Sequence, residues 1–139
     1  MTRDETFGYF KVQEFFKYDA RPSKKTIGKV IRMIKILNPI RSKLKQPITI
    51  QAGSRSKDHE LSRGRLGTSQ HVYSNGLGAA DITTVSEEKL EELYELLLAE
   101  PRIKRVCIYR HKGFVHIDFK QSSHKKYIAD IVTNVWQRV

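Results

Sequence analysis

Three residues in separate contexts have the side chains for metal chemistry: His71 in Thr68-Ser69-Gln70-His71, Asp81 in Gly78-Ala79-Ala80-Asp81-Ile82, and His116 in Phe114-Val115-His116-Ile117-Asp118. Two imidazoles and one carboxylate form a zinc ligand set that leaves the fourth tetrahedral position open to water or substrate. A structural zinc site takes four protein ligands, usually rich in sulfur. The single cysteine, Cys107, excludes a site of that kind. If the three side chains meet, they support a hydrolytic metal site. Asp81 lies between alanines and Ile82, a setting that buries a carboxylate and so demands a strong partner.

The elements that must position them are legible in part. Arg105 to Arg110 and Phe114 to Lys120 read as strands joined by a tight hairpin at His111-Lys112-Gly113, with glycine where a positive φ is needed. In the second strand Phe114, His116 and Asp118 share one face, and Val115, Ile117 and Phe119 the other. Pro47 to Gln51 and Ala79 to Thr84 read as further strands. Between them, Ala52 to Gly78 is a polar stretch longer than an ordinary connection, and loops of that length tend to be functional. Ser23 caps an amphipathic helix whose apolar face runs Ile27, Val30, Ile31, Ile34, Leu37, Ile40 and Leu44, with Pro39 expected to kink it or start a fresh turn. Ser86 caps a second helix buried through Leu90, Leu93, Tyr94, Leu97 and Leu98. The aromatic-rich opening from Phe7 to Tyr18 reads as a short helix or arm over the core, and the tail from Ser123 as a helix anchored by Tyr127, Ile128, Ile131, Val135 and Trp136.

A chain of 139 residues with 39% hydrophobic content suits one compact domain spanning residues 1–139. No stretch approaches the ~18–20 apolar residues of a membrane span. The opening Met-Thr-Arg-Asp-Glu-Thr lacks the apolar core of a secretory signal, so the expectation is that the protein works in the cytoplasm where it is made or is carried outward by something else. Lys and Arg number 26 against 15 Asp and Glu, a formal net charge of +11. That field favours a polyanionic partner, whether nucleic acid, anionic lipid or an acidic wall polymer.

The ordered series Phe10…Glu14-Phe15, Leu37-Asn-Pro-Ile-Arg41, Pro47-Ile48, Gly53-Ser-Arg55-Ser56, Ser69-Gln-His71, Ala79-Ala-Asp81-Ile82 and Phe114-Val-His116-Ile-Asp118 resembles the zinc D-Ala-D-Ala carboxypeptidase superfamily, which includes phage endolysins. It is most similar to the short, phage-type branch ending in a Val-His-Val-Asp-type strand. The resemblance implies an α+β fold, with a small antiparallel sheet carrying Zn2+ and helices packed on the opposite face. It implies His71, Asp81 and His116 as metal ligands and Arg55 as the holder of a substrate carboxylate or carbonyl. The implied reaction is hydrolysis of a peptidoglycan stem peptide, at D-Ala-D-Ala or at L-Ala-D-Glu, as in a phage lysis enzyme. Ser69 would orient a ligand or touch substrate, and Tyr73 would offer a substrate-side hydroxyl.

Three departures stand out. The superfamily's common pattern is Ser-x-His-x-x-Gly-x-Ala-x-Asp, whereas here the carboxylate comes ten positions after the histidine, from 71 to 81. Many members carry an acidic residue three positions before the last histidine, where this chain has Gly113. Asp118 is then the first choice for general base, because it shares a strand face with His116, and His111 is the second. Ser54 replaces the usual tyrosine before Arg55, removing an aromatic wall. Two other functions stay open. Gly113 motivates a non-catalytic wall- or metal-binding module of the same fold. The basic groups Arg55, Lys57, Arg63, Arg65 and Lys11, Lys17, Arg21, Lys24, Lys25 motivate nucleic-acid binding, although no recognised nucleic-acid motif accompanies them.

Overall fold

The structure is a computed structural model that describes residues 6–65 and 67–139. Residues 1–5, on which the reading of the opening segment falls, lie outside the described residues. β1 (Thr6–Phe7) and β2 (Phe10–Lys11) form a two-stranded hairpin followed by a short 3-10 helix at Val12–Phe15, so the aromatic opening is an arm, with Phe10 and Phe15 sealed in the core. α1 (Lys24–Leu44) starts where Ser23 Oγ accepts the Thr26 amide and runs unbroken through Pro39, so no fresh helix begins there. α3 (Glu87–Leu98) is capped by Ser86 in the same way, and the apolar faces of both helices enter the main core. The long polar stretch holds α2 (Lys57–Ser62), begun by Ser56, and a 3-10 turn at Tyr73–Asn75.

The remaining strands are β3 (Thr49–Ala52), β4 (Ala79–Thr83), β5 (Arg105–Tyr109), β6 (Phe114–Asp118), β7 (Lys126–Ala129) and β8 (Trp136–Arg138). They form one sheet in the order β3-β4-β6-β5-β7-β8, antiparallel except for the parallel β5–β7 pair. The fold is therefore α+β with a mostly antiparallel sheet. Gly113 takes φ 76° at the β5–β6 turn, a conformation most other residues adopt only at a cost.

The sheet has two unlike faces. Ala80, Ile82, Val106, Ile108, Val115 and Ile117 join the helices in the main core. The opposite face carries Asp81, His116 and Asp118, together with a small apolar cluster of Cys107, Tyr127 and Ala129 that Tyr109 and Trp136 border. The helix expected from Ser123 is instead the β7–β8 hairpin. Asp130 Oδ2 accepts the amides of Val132 and Thr133, and Asn134 sits at φ 61°. That turn chemistry defeats the helical spacing and leaves Ile131 and Val135 exposed.

Candidate metal centre

Asp81 and His116 face each other directly across the β4–β6 ladder, so the sheet register alone brings them together. His71 arrives from the polar stretch, tied at its backbone. Its amide donates to Ser69 Oγ at 3.1 Å, and its carbonyl accepts the Arg55 amide at 2.7 Å. His71 Nε2 lies 3.3 Å from His116 Nδ1 and 3.3 Å from Asp81 Oδ1, and His116 Nδ1 lies 2.9 Å from the same oxygen. Ligand atoms around a tetrahedral ion with bonds of ~2.0 Å are spaced ~3.3 Å apart. The three contact edges therefore fit a zinc ion held by these atoms, and all three residues are buried.

The far nitrogens of the two rings show how the donors are prepared. His71 Nδ1–H donates to the Gly53 carbonyl at 2.8 Å, and a carbonyl only accepts, so the Nε2 lone pair turns inward. His116 Nε2–H donates to Asp118 Oδ2 at 2.8 Å, so a bound metal would take the lone pair of Nδ1, whereas without one Nδ1–H donates to Asp81 Oδ1 at 2.9 Å. Burial disfavours the Asp81 charge, but the bonds from His116 and His71 outweigh it and hold the carboxyl well below its usual range. Burial likewise disfavours an imidazolium at His116, and the bonds to Asp118 and Asp81 outweigh it and raise that ring above its ordinary value.

Asp118 was the expected general base, and its position argues otherwise. It sits behind the His116 ring, on the nitrogen away from the cluster, with no exposed surface. Arg105 grips both its oxygens, Nε to Oδ1 at 2.8 Å and Nη2 to Oδ2 at 2.6 Å, and the Lys120 amide adds a third bond. Against burial, His116 and Arg105 hold its pKa down to about 2. A carboxylate so fully engaged is placed to orient a ligand rather than to collect a proton. His111 points elsewhere, its Nε2 meeting Asn134 Oδ1 at 2.7 Å.

Tyr73 is a correction. Its ring is buried at 1% exposure and its hydroxyl donates to the Ala79 carbonyl at 2.6 Å, so it braces the start of β4 from inside and offers no hydroxyl to substrate. The ten-residue spacing from His71 to Asp81 is taken up by the turn this tyrosine anchors. Ser54 donates to Asp19 Oδ2 at 2.8 Å in the interior, away from the cleft.

A cleft of about 460 Å³ opens over the cluster, walled by Arg55, Arg65, Ser69, Arg105, Tyr109 and Trp136 among others. Arg55 stands 3.5 Å from Asp81 Oδ2 and 3.6 Å from Glu60 Oε1, and Arg65 donates to Glu60 Oε2 at 2.7 Å. Glu60, buried at 0% exposure, thus anchors two guanidinium groups at the cleft. Burial pushes the Glu60 carboxyl up, but the two arginines prevail and lower it. Sequence reading missed Glu60, Arg105 and Trp136. For Arg105 a signal existed: a tight 105–118 hairpin puts it opposite Asp118. Glu60 sits on a helix too short to show periodicity, and Trp136 lay in the tail read as helical.

A family model described as peptidase M15 matches residues 8–118, a span that includes His71, Asp81, His116, Arg55 and Asp118. The chain belongs to the peptidase M15 family. Neither the curated proteins nor the solved structures give a match. M15 membership places the chain among peptidases, and the M15 match stops at the end of β6, leaving the β7–β8 hairpin outside it. No helix among the described residues is long and apolar enough to cross a membrane.

Proposed function

We propose that this M15-family chain is a zinc-dependent peptidase that hydrolyses peptide bonds in bacterial peptidoglycan stems or cross-links. The observation that carries the reading is the convergence of His71 Nε2, Asp81 Oδ1 and His116 Nδ1 at ligand spacing beneath a cleft. When bound, zinc supplies a Lewis acid that polarises a carbonyl and acidifies water. The protein's own groups do the rest. Gly53 and Asp118 hold the imidazoles in the donor tautomer, and Arg105 holds Asp118. Arg55, steadied by Glu60, offers a planar fork of donors to a substrate carboxylate or carbonyl. The +11 charge draws the protein toward anionic wall polymers.

The test is metal analysis combined with digestion of purified peptidoglycan and mass spectrometry of the released muropeptides. The expected result is one zinc per chain and newly freed peptide termini, with both lost in His71→Ala. No zinc uptake, or a His71→Ala variant that cleaves like the parent, removes the proposal. Gly113, standing where many relatives of this type carry an acidic residue, favours one second reading, a non-catalytic module. Zinc and wall binding without turnover would establish it. The nucleic-acid reading finds no support in the family match.

A further inference from the structure

We infer that Trp136 is a positioning residue of the metal centre, which makes the C-terminal hairpin beyond the family-matched segment part of the site. The inference rests on the zinc reading above. Among the described residues β8 is an edge strand that pairs only with β7. From it, Trp136 reaches back over the site face. Its ring lies 5.1 Å from the His116 ring and 5.2 Å from the Tyr127 ring, and the Arg105 guanidinium stacks over it at 4.8 Å. The indole N–H donates to the Tyr109 hydroxyl at 2.6 Å, and Tyr109 in turn stacks on Phe114 at 4.4 Å.

The indole therefore touches both ends of the Arg105–Asp118–His116 chain. An aromatic ring on the guanidinium adds a cation–π attraction and covers one face of Arg105, which helps hold its fork on Asp118. The same ring stands beside the imidazole and limits the directions in which His116 can turn. An apolar anchor for the hairpin needs none of this. The distances to His116 and Arg105 are what assign the residue to the metal centre.

Trp136 is the chain's only tryptophan, so the native protein reports on the contact without modification. Zinc titrated into metal-free parent should change its tryptophan fluorescence and saturate at one equivalent. In competition with a chromophoric chelator, Trp136→Ala should bind zinc about 10–100-fold more weakly, the usual effect of losing a group that orients a ligand. Trp136→Phe should recover most of that loss. Thermal unfolding of the metal-free proteins separates a merely structural role, which lowers stability and leaves zinc affinity unchanged. If Trp136→Ala does not fold, Tyr109→Phe serves in its place. It keeps the ring stack, removes the acceptor of the indole N–H, and should weaken zinc by about fivefold, the worth of one hydrogen bond. A parent that binds zinc with unaltered fluorescence, or a folded Trp136→Ala with parental zinc affinity, overturns the inference and leaves the zinc reading intact. A parent that binds no zinc overturns both.

Discussion

Replacing Asp118 with asparagine separates two accounts of this site. In the structure the carboxylate accepts from His116 Nε2, from Arg105 twice and from the Lys120 amide, with no exposed surface. Asparagine keeps the size and one acceptor, but it places an NH2 group against a charged or ring donor. Removing one partner of a buried ion pair costs about 3–5 kcal/mol. The Arg105 side chain keeps 21% exposure and can rehydrate, so the expected loss is about 2–3 kcal/mol. For a domain of this size that is roughly 6–15 °C in melting temperature. The pH dependence gives a second check. A carboxyl held at about 2 rather than its ordinary 3.8 contributes stability that is complete above the ordinary value and lost as pH falls through about 2. The parent should therefore lose stability between about pH 4 and 2 more steeply than Asp118→Asn does. Zinc affinity, read by chelator competition, should fall about 10–100-fold. Peptidase activity should return in part at saturating zinc. If zinc affinity is parental while activity is absent at every zinc concentration, Asp118 acts on the reacting atoms and the orienting account is wrong.

Other outcomes follow from the same geometry. Protons compete with zinc for imidazole nitrogen. Burial lowers the His116 value, but Asp118 and Asp81 outweigh it and raise the ring above 6.5, so zinc affinity should begin to fall on acidification while the pH is still above 6.5. In the metal-free protein the same ring adds stability that is complete below 6.5 and lost as pH rises through its raised value, which thermal melts in chelator across pH will show. In Gly53→Ala, the added Cβ would sit 2.7 Å from the Phe15 carbonyl oxygen and 2.8 Å from its Cα. The backbone carrying the His71 acceptor must then shift, at a cost of about 1–3 kcal/mol, with weaker zinc binding by chelator competition. Tyr73→Phe should lose about 1–2 kcal/mol in denaturant titration through the orphaned Ala79 carbonyl, and leave turnover at saturating zinc unchanged.

The periodic parts of this chain could be read without coordinates. The gaps of three and four in α1 and α3, and the alternation in β6, each bury one face against the core, and burial is what the pattern encodes. The same alternation put His116 and Asp118 on the site face, but it could not say that Asp118 stands behind the ring. That depends on Arg105 one strand away and on which ring nitrogen each carboxylate meets. α2 escaped because six residues are too few to show a period, although Ser56 followed by Asp58 and Glu60 is a helix-start signature. The tail was misread because Tyr127, Ile128, Ile131 and Val135 carry helical spacing by coincidence. Asp130, Thr133 and Asn134 were the stronger signal, since their side chains and backbone build the turn. Tyr73 illustrates a further limit: a hydroxyl beside a site histidine in the chain is not thereby beside it in space.

The three ligand candidates do not share one kind of support. Asp81 and His116 are riveted to neighbouring strands and move only if the sheet moves. His71 hangs from three local ties, to Gly53, Arg55 and Ser69. The described residues between Ser56 and Ser69, apart from Glu60 with its hold on Arg55 and Arg65, can thus be rewritten without disturbing the other two ligands, provided those ties survive. Substrate preference can diverge there, on interchangeable cladding, while the chemical heart beneath it stays the same.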